Sequence, residues 1–250
     1  MVRPLVIGHR GASAARPENT VEAFVHAAEL GADWVELDVR RTADDALVIH
    51  HDAVLPDGRT IVELAASDLP PSIASFDEAM AACAGMGVNI EIKNVPDDPD
   101  YDPDERVAHA VADWLLDRAT GDPVDLARIL VTSFSPRTVG VMRERSAAVP
   151  TGQLVFDLAD AARWVDRAAA AGHVAINPWD PFVDEALMVL AREAGLAVYP
   201  WTVDDPERMG VLLDLEVDGI ITNVPDVARA LVDDRGEPVD DGGAWGDLRG

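Results

Sequence analysis

Charged residues occupy alternate positions in two short runs that are otherwise apolar. Glu36 and Asp38 lie in the first run, and Glu91 and Lys93 lie in the second. Residues i and i+2 of a β-strand point to the same face, so each pair is expected to project together. Buried charges are costly unless they are paired or bind a metal, and three acids against one lysine leave an excess of negative charge. The pattern favours a polar functional site over salt bridges inside a sheet.

Lys93 is the only lysine in the chain, which contains nineteen arginines. A guanidinium is a planar fork, whereas an ammonium is a compact and strongly hydrated point charge, so the two are not interchangeable in a tight site. The single lysine therefore indicates a position where a compact positive charge is needed.

Short apolar runs rich in β-branched residues alternate with helical patterns along the chain. Eight alternations in about 230 residues are the number and length expected of an α/β protein with a (β/α)8 TIM barrel. An open doubly wound sheet is the alternative. The predicted strands are 4–9, 33–39, 88–93, 128–133, 152–156, 173–177, 197–203 and 218–222, and the predicted helices lie near 20–30, 75–84, 104–119, 136–146, 159–170, 183–194, 205–214 and 224–232.

Two stretches interrupt this alternation. An extra strand-like run at 46–50 leads into loop residues up to 74, which predicts a short insertion after the second strand. Residues 94–104 form an acidic loop, interpreted as solvated, with a second calcium site as the alternative. Residues 1–232 are therefore predicted to form a single domain, and residues 233–250 an acidic flexible tail.

The residues able to do chemistry lie where a barrel forms its site. That site is built at the carboxyl ends of the strands. The candidate side chains end or follow predicted strands at this edge and are expected to converge on one rim: His9, Arg10, Glu36, Asp38, His51, Glu91 and Lys93.

The carboxylates and cations of this set are suited to binding a metal and a phosphate. Glu36, Asp38 and Glu91 offer hard oxygen ligands, which suit Mg²⁺ or Ca²⁺. Arg10 offers a fork that binds phosphate through two hydrogen bonds, and Lys93 adds a point charge. The residue types therefore indicate a divalent-metal site that also holds a phosphate.

His9 and His51 are candidates for proton transfer, because an unperturbed imidazole has a pKa of about 6.5. One would activate the nucleophile, and the other would protonate the departing alkoxide. With the metal and the two cations absorbing the developing charge, these are the parts needed to hydrolyse a phosphodiester. The sequence leaves the two roles open, and we favour His51 as the acid.

Taken together and in order, the site motifs make residues 5–232 resemble the glycerophosphodiester phosphodiesterase family. The resemblance implies a (β/α)8 barrel that splits a glycerophosphodiester into glycerol 3-phosphate and an alcohol. It further implies a metal on Glu36, Asp38 and Glu91, acid–base catalysis by His9 and His51, and phosphate binding by Arg10 and Lys93. The four principal motifs are His9-Arg10-Gly11, Glu36-Leu37-Asp38, His51-Asp52 and Glu91-Ile92-Lys93.

The last motif departs from the family. Members usually show Thr-Asp-x-Pro after the final strand, whereas this chain has Thr222-Asn223-Val224-Pro225. Asn223 can cap the final helix, so little functional loss is expected. Trp201 is expected to line the pocket against the alcohol part of the substrate, with a barrel-core tryptophan as the alternative. Glu18 and Asn19 either buttress the site loop or open the first helix.

Two other functions remain compatible with the motifs. One is a lysophospholipase D-like or other phosphodiesterase of the same superfamily, a choice that depends on how apolar the pocket is. The other is a non-catalytic barrel that binds a phosphate ligand. Such a binder is expected to have lost a histidine or a carboxylate, and none is missing here.

Composition restricts the partners. The net charge of −26 repels phosphate backbones and anionic lipid head groups, so neither nucleic-acid binding nor stable membrane association is expected. The partner expected is a small-molecule glycerophosphodiester, and the oligomeric state is not readable. The first residues lack the features of a signal peptide, and no apolar run is long enough to span a membrane, so a cytoplasmic location is expected.

Overall fold

Parallel strands form a nearly closed barrel with helices between them. The computed structural model describes residues 3–120, 125–157 and 159–236. The strands are β1 (Leu5–Gly8), β2 (Trp34–Arg41), β3 (Leu47–Ile49), β4 (Gly87–Ile92), β5 (Ile129–Ser133), β6 (Thr151–Val155), β7 (Ala175–Pro178), β8 (Ala197–Val198) and β9 (Gly219–Thr222).

The strands of the barrel follow the order β8-β7-β6-β5-β4-β2-β1-β9, and every neighbouring pair in this order is parallel. Residues after β8 complete the circle, since the N–H of Val203 donates to the carbonyl of Ile221 and the N–H of Ile221 donates to that of Pro200. The predicted (β/α)8 barrel is confirmed, and the open-sheet alternative is wrong. The predicted strand 197–203 is regular only at its first two residues.

Eight helices are described around the barrel. Each buries one side against the strands, with Phe24, Phe76, Leu115 and Met142 among the fully buried side chains. Thr20, Ser75 and Ser135 accept backbone N–H groups at the starts of three helices, as caps do. The helices are α1 (Val21–Glu29), α2 (Phe76–Ala82), α3 (Arg106–Thr120), α4 (Pro136–Arg145), α5 (Ala161–Ala170), α6 (Glu185–Glu193), α7 (Pro206–Asp214) and α8 (Pro225–Asp234).

The end of the barrel differs in two respects from the sequence expectation. The residue before α8 is Val224, and no side chain caps this helix, so the expectation that Asn223 caps it is wrong. Helix α8 also extends to Asp234, two residues beyond the predicted domain end. From residue 237 onwards, the predicted flexible tail lies outside the described residues.

The insertion after β2 forms a small lobe. Strand β3 pairs antiparallel with β2, and two short 3-10 turns follow at Ile61–Glu63 and Ala66–Asp68. Val48, Leu55 and Ile61 form its own apolar cluster. None of the helices within the described ranges is long and apolar enough to cross a membrane.

An apolar plug fills the barrel below the site. Ile7, Leu130 and Ile221 come from three different strands and share one buried cluster with Trp34, which can only form inside the barrel. Gly87 is required beside it, since a Cβ there would lie 2.1 Å from Cε2 of the Trp34 indole. The plug closes one end of the barrel, so polar side chains collect at the carboxyl end.

Candidate active site

Three buried carboxylates meet at the carboxyl edge of neighbouring strands. Glu36 and Asp38 lie on β2, Glu91 lies on β4, and the register pairs Asp38 with Glu91. One oxygen from each of the three lies within 4.8 Å of the others. Within the described ranges, Oε1 of Glu36 is buried without a hydrogen-bond partner. The structure therefore brings together the ligands that the sequence predicted for a metal.

The two cations predicted to bind phosphate contact these carboxylates directly. Nζ of Lys93 lies 2.9 Å from Oδ1 of Asp38 and also pairs with Glu91. Nε of Arg10 lies 3.2 Å from Oδ2 of Asp38. Two cations against three carboxylates leave one negative charge uncompensated. The predicted excess of negative charge is therefore present but smaller than the strand positions alone indicated.

Burial raises the pKa values of the three carboxyl groups, whereas the neighbouring cations lower them. Burial raises the pKa of Glu36 well above its usual value, and the charge of Asp38 raises it further. Burial also raises the pKa of Glu91. It opposes ionisation of Asp38 too, but Lys93 and Arg10 outweigh it and lower the pKa of that carboxyl. A cation bound here would favour the ionised form of all three groups.

Lys93 stays charged in spite of its burial. Desolvation lowers its pKa, but the carboxylates of Glu91 and Asp38 outweigh that effect and raise it overall. The side chain is 8% exposed, so a larger head group has little free space around it. The only lysine of the chain therefore lies in a tightly enclosed position of the site.

The loop after β1 places Arg10 against the metal-ligand candidates. Arg10 adopts a left-handed backbone conformation, with φ of 54°, and its N–H donates to Oε2 of Glu36 at 2.9 Å. Its side chain also pairs with Glu18, Nη1 lying 2.9 Å from Oε1. Backbone and side chain of one residue therefore contact two of the three metal-ligand candidates. Through its contact with Arg10, Glu18 buttresses the site loop.

Asn19 supports the metal-ligand candidate Asp38 instead of capping a helix. Its Nδ2 donates to Oδ2 of Asp38 at 2.7 Å, and its Oδ1 accepts the N–H of the same residue at 3.2 Å. Asn19 is 3% exposed, and Thr20 provides the cap of α1. The amide therefore fixes both the backbone and the carboxylate of Asp38.

His9 is oriented by a chain of hydrogen bonds from the far end of the sequence. Its Nδ1 lies 2.7 Å from Oδ1 of Asn223, whose Nδ2 donates to Oδ2 of Asp204 at 2.6 Å. Asp204 can only accept, so Oδ1 of Asn223 faces the imidazole, and Nδ1 of His9 is the donor. Nε2 of His9 is therefore the free acceptor. Burial and the charge of Arg10 lower the pKa of His9 to about 4, so the ring is neutral near pH 7.

His51 is less buried and is backed by a carboxylate. Its Nδ1 lies 2.7 Å from Oδ1 of Asp52. Burial and Lys93 lower the pKa of His51, while Asp38 and the contact with Asp52 oppose that shift. Asp52 also lets this imidazole carry a positive charge more readily than one backed by a neutral amide. The two histidines therefore differ in what stands behind Nδ1.

One cavity connects these groups with an aromatic wall. Six of the seven candidates line its polar side, Asp38 lying behind them, while Phe134, Leu154, Trp201 and Ile221 form the apolar side. Trp201 and Phe134 pack edge to face with 5.5 Å between ring centroids. Nε1 of Trp201 donates to the carbonyl of Asn177, so the indole offers the cavity a ring surface and no hydrogen bond. Trp201 thus lines the cavity, and its contact with the alcohol part of a substrate stays a prediction.

Two other histidines lie away from this cavity. His26 pairs with Glu29 on the surface of α1, and His173 is buried against Thr151. In the part of the chain that the structure describes, Glu36, Asp38 and Glu91 form the only group of three possible metal ligands, which leaves the calcium alternative at 94–104 without support.

Two site residues escaped the sequence reasoning. Asn223 was interpreted as a helix cap, and the one available signal was its departure from the Thr-Asp-x-Pro pattern. Phe134 also lines the cavity, although the sequence predicts no role for it. Asn223 contacts His9 and Phe134 contacts Trp201, and each partner lies far away in the sequence. No local sequence pattern could therefore have identified these contacts.

Comparison with known proteins agrees with this geometry. A relative from Mycobacterium tuberculosis, named probable glycerophosphodiester phosphodiesterase 2, is 31% identical over 93% of this chain and 92% of its own length. The glycerophosphodiester phosphodiesterase of Caldanaerobacter subterraneus subsp. tengcongensis is 28% identical over 92% of this chain and 98% of its own. An Oleispira antarctica phosphodiesterase, solved in complex with the product sn-glycerol-3-phosphate, has the same fold, with a TM-score of 0.81, 24% identity and coverage of 92% and 97%.

Fold and site together define a phosphoric diester hydrolase built on a TIM barrel. The model of the glycerophosphoryl diester phosphodiesterase family matches residues 9–227. The chain belongs to that family, as the order of its motifs predicted.

Proposed function

We propose that this protein hydrolyses glycerophosphodiesters to glycerol 3-phosphate and an alcohol, with a divalent metal and a pair of histidines. One observation carries the proposal: three buried carboxylates have oxygens within 4.8 Å of one another, and two of them, Glu36 and Glu91, line one cavity with His9 and His51. The names of the relatives and the product bound to the Oleispira antarctica enzyme support the choice of substrate.

The donor set fits Mg²⁺ or Ca²⁺. All three groups are carboxylates, which are the ligands these hard cations prefer. The buried Oε1 of Glu36 lacks a partner within the described ranges, and the two cations that contact the cluster are fewer than its three carboxyl groups. When bound by Glu36, Asp38 and Glu91, the metal would stabilise negative charge that develops on the phosphate and lower the pKa of an attacking water.

Arg10 and Lys93 retain donors for the phosphate. An ammonium has three N–H groups, of which Lys93 donates one to Glu91, while Asp38 is held as an ion pair. Arg10 donates from Nη1 to Glu18, its Nε lies in an ion pair with Asp38, and its Nη2 makes no hydrogen bond to any described residue. Both side chains line the cavity. We propose that the free donors bind non-bridging phosphate oxygens and stabilise the transition state.

We propose that His9 is the proton acceptor and His51 the proton donor. His9 is neutral near pH 7, its Nδ1 proton is held by Asn223, and Nε2 can accept the proton of the attacking water. The water oxygen forms the new bond to phosphorus as the bond to the alcohol oxygen breaks. His51 then protonates the departing oxygen, and Asp52 stabilises its imidazolium form before that transfer.

The aromatic side of the cavity supports contact with the alcohol part. Trp201 and Phe134 offer ring faces, whereas the polyol end of the substrate needs hydrogen-bonding groups, which lie on the opposite side with His9 and Arg10. Trp201 is proposed to pack against the alcohol. An apolar wall also suits a lysophospholipid, so a lysophospholipase D activity is the second candidate.

Coupled detection of glycerol 3-phosphate tests the proposal. Glycerophosphocholine should release glycerol 3-phosphate, EDTA should stop the release, and Mg²⁺ or Ca²⁺ should restore it. Lysophosphatidylcholine should be cleaved less efficiently. A protein that binds glycerol 3-phosphate but releases none under any metal would instead be a phosphate-ligand binder, and the hydrolase proposal would be wrong.

A further inference from the structure

Arg40 is a buried arginine that joins three segments of the site. It follows the metal-ligand candidate Asp38 by two residues on β2, and its side chain is 3% exposed. Its Nε and Nη2 both donate to the backbone carbonyl of His51, at 2.8 and 2.6 Å. Its Nη1 contacts both oxygens of Asp100, at 2.7 and 2.6 Å, and Nη2 also contacts Asp98 at 3.0 Å.

The contact with His51 is one that only the planar fork of arginine can make. Two adjacent N–H groups converge on one carbonyl oxygen, which fixes the position of the peptide as well as its distance. On the other side, the N–H of His50 donates to the carbonyl of Asp38 at 3.0 Å. The backbone at His51 is therefore held to β2 from both sides.

The ring of His51 depends on this backbone anchor. Its side chain is 36% exposed and has one hydrogen-bond partner among the described residues, the neighbouring Asp52. His9, by contrast, is anchored through its ring by Asn223. A shift of the peptide at His51 would move the imidazole relative to the carboxylates, because no distant side chain holds the ring in place.

Asp98 and Asp100 orient the fork. Asp100 is 6% exposed, and a buried ion pair costs desolvation that a surface pair does not. The two acids belong to the loop that follows Lys93, so Arg40 links this loop to β2 and to the insertion that carries His51. The acidic loop 94–104 is therefore not only a solvated surface loop, because Asp98 and Asp100 pair with Arg40.

We propose that Arg40 is a positioning residue that acts through His51, with Asp98 and Asp100 holding its guanidinium in register. The inference rests on the proposed acid–base role of His51. Arg40 is not among the residues that line the cavity. Its loss should therefore reduce the turnover that depends on His51 and leave substrate binding nearly intact.

A double-mutant cycle separates positioning from general damage. Arg40→Met should lower kcat for glycerophosphocholine by about 10-fold or more with KM within about 3-fold of wild type, because misplacing a catalytic group affects the transition state most. In a His51→Ala background, the same change should cost less than about 2-fold, because residues that act through one another are not additive. An equal loss in both backgrounds, or no loss in the first, overturns the proposal.

Matched variants control for charge and for folding. Arg41→Met removes the neighbouring arginine, which contacts Thr42 and Asp45 away from the cavity, and should leave kcat unchanged. Arg40→Lys keeps a charge for Asp100 but has no fork, and should resemble Arg40→Met. If Arg40→Met does not fold, the triple variant Arg40→Met, Asp98→Asn, Asp100→Asn removes the whole cluster without leaving a buried carboxylate unpaired, and enters the cycle in its place.

One measurement does not depend on turnover and can be made even if the wild-type protein is inactive. An inactive wild type would reject the proposed function but not the positioning of His51 by Arg40. In the ¹⁵N-histidine spectrum, Arg40→Met should shift the ring signals of His51 and leave those of His9 within error. Unchanged His51 signals would show that Arg40 does not position the ring.

Discussion

The imidazole of His9 donates from Nδ1 to Oδ1 of Asn223 across 2.7 Å, although the two residues lie 214 positions apart. The acceptor is a neutral amide, and the nearest carboxylate behind it is that of Asp204, 2.6 Å from the other end of the amide. An amide fixes the tautomer of the imidazole and favours its charged form less than a carboxylate would. His9 therefore differs from a histidine backed directly by a carboxylate, which is the arrangement that an aspartate at position 223 would provide.

Asn223→Asp should move the pH dependence of catalysis. A general base must be neutral, so activity is lost as the pH falls through its pKa, and the pKa of His9 is lowered to about 4. The acidic limb of kcat/KM should therefore lie well below pH 6.5 in wild type. Arg10 and Lys93 lower this pKa and Asp38 raises it, and all three remain in the variant. A new carboxylate at Nδ1 favours the imidazolium, so the limb should rise by about one pH unit.

Ser13→Ala is the matched control, because Oγ of Ser13 donates to the same Oδ1 of Asn223 at 2.6 Å and its removal adds no charge. The control should leave the limb where it is. A pH profile of kcat/KM that is the same for wild type and Asn223→Asp would mean that His9 is not the base.

Metal removal should abolish turnover, since Glu36, Asp38 and Glu91 lie within ligand distance of one another. Glu91→Gln replaces a charged ligand with a neutral one and should weaken Mg²⁺ or Ca²⁺ binding severely while the barrel still folds. Isothermal titration of the metal measures the effect, and Glu193→Gln, an exposed position at the end of α6, is the control. Full activity after exhaustive EDTA treatment would refute metal dependence.

Lys93→Arg should damage the enzyme although the charge is kept. The ammonium fits between Glu91 and Asp38 with 8% of the side chain exposed, and a guanidinium is larger and planar. We expect kcat/KM to fall by at least about 10-fold, or about 1.4 kcal/mol of transition-state stabilisation. Arg192→Lys, the reverse exchange in an exposed ion pair, should have no effect. Steady-state kinetics identical to wild type would make the single lysine a feature of composition only.

The sequence predicted the fold and the main site residues, but not the long-range contacts that position them. Alternation within strands correctly placed Glu36 beside Asp38, because the two-residue period of a strand is local. The barrel followed from the count of alternations, and its carboxyl edge then predicted that His9 and Lys93 share a rim. The contacts of Arg40 with Asp98 and Asp100 could not be predicted, because they span about 60 residues and depend on the path of a loop.

His9 and His51 should behave as one acid–base unit. Each single alanine variant removes one of two proton transfers that the same transition state needs, so the double variant should be scarcely slower than the poorer single one. A glycerophosphoryl ester of p-nitrophenol distinguishes the two, because p-nitrophenolate leaves without protonation. It should rescue His51→Ala, which lacks the proposed acid, and leave His9→Ala impaired.

His26→Ala, on the exposed face of α1, controls for loss of an imidazole. Rescue of His9→Ala instead would reverse the two assignments. His9, oriented by the amide of Asn223, would then be the general acid. If both single variants turn over glycerophosphocholine within about 10-fold of wild type, acid–base catalysis by this pair is wrong.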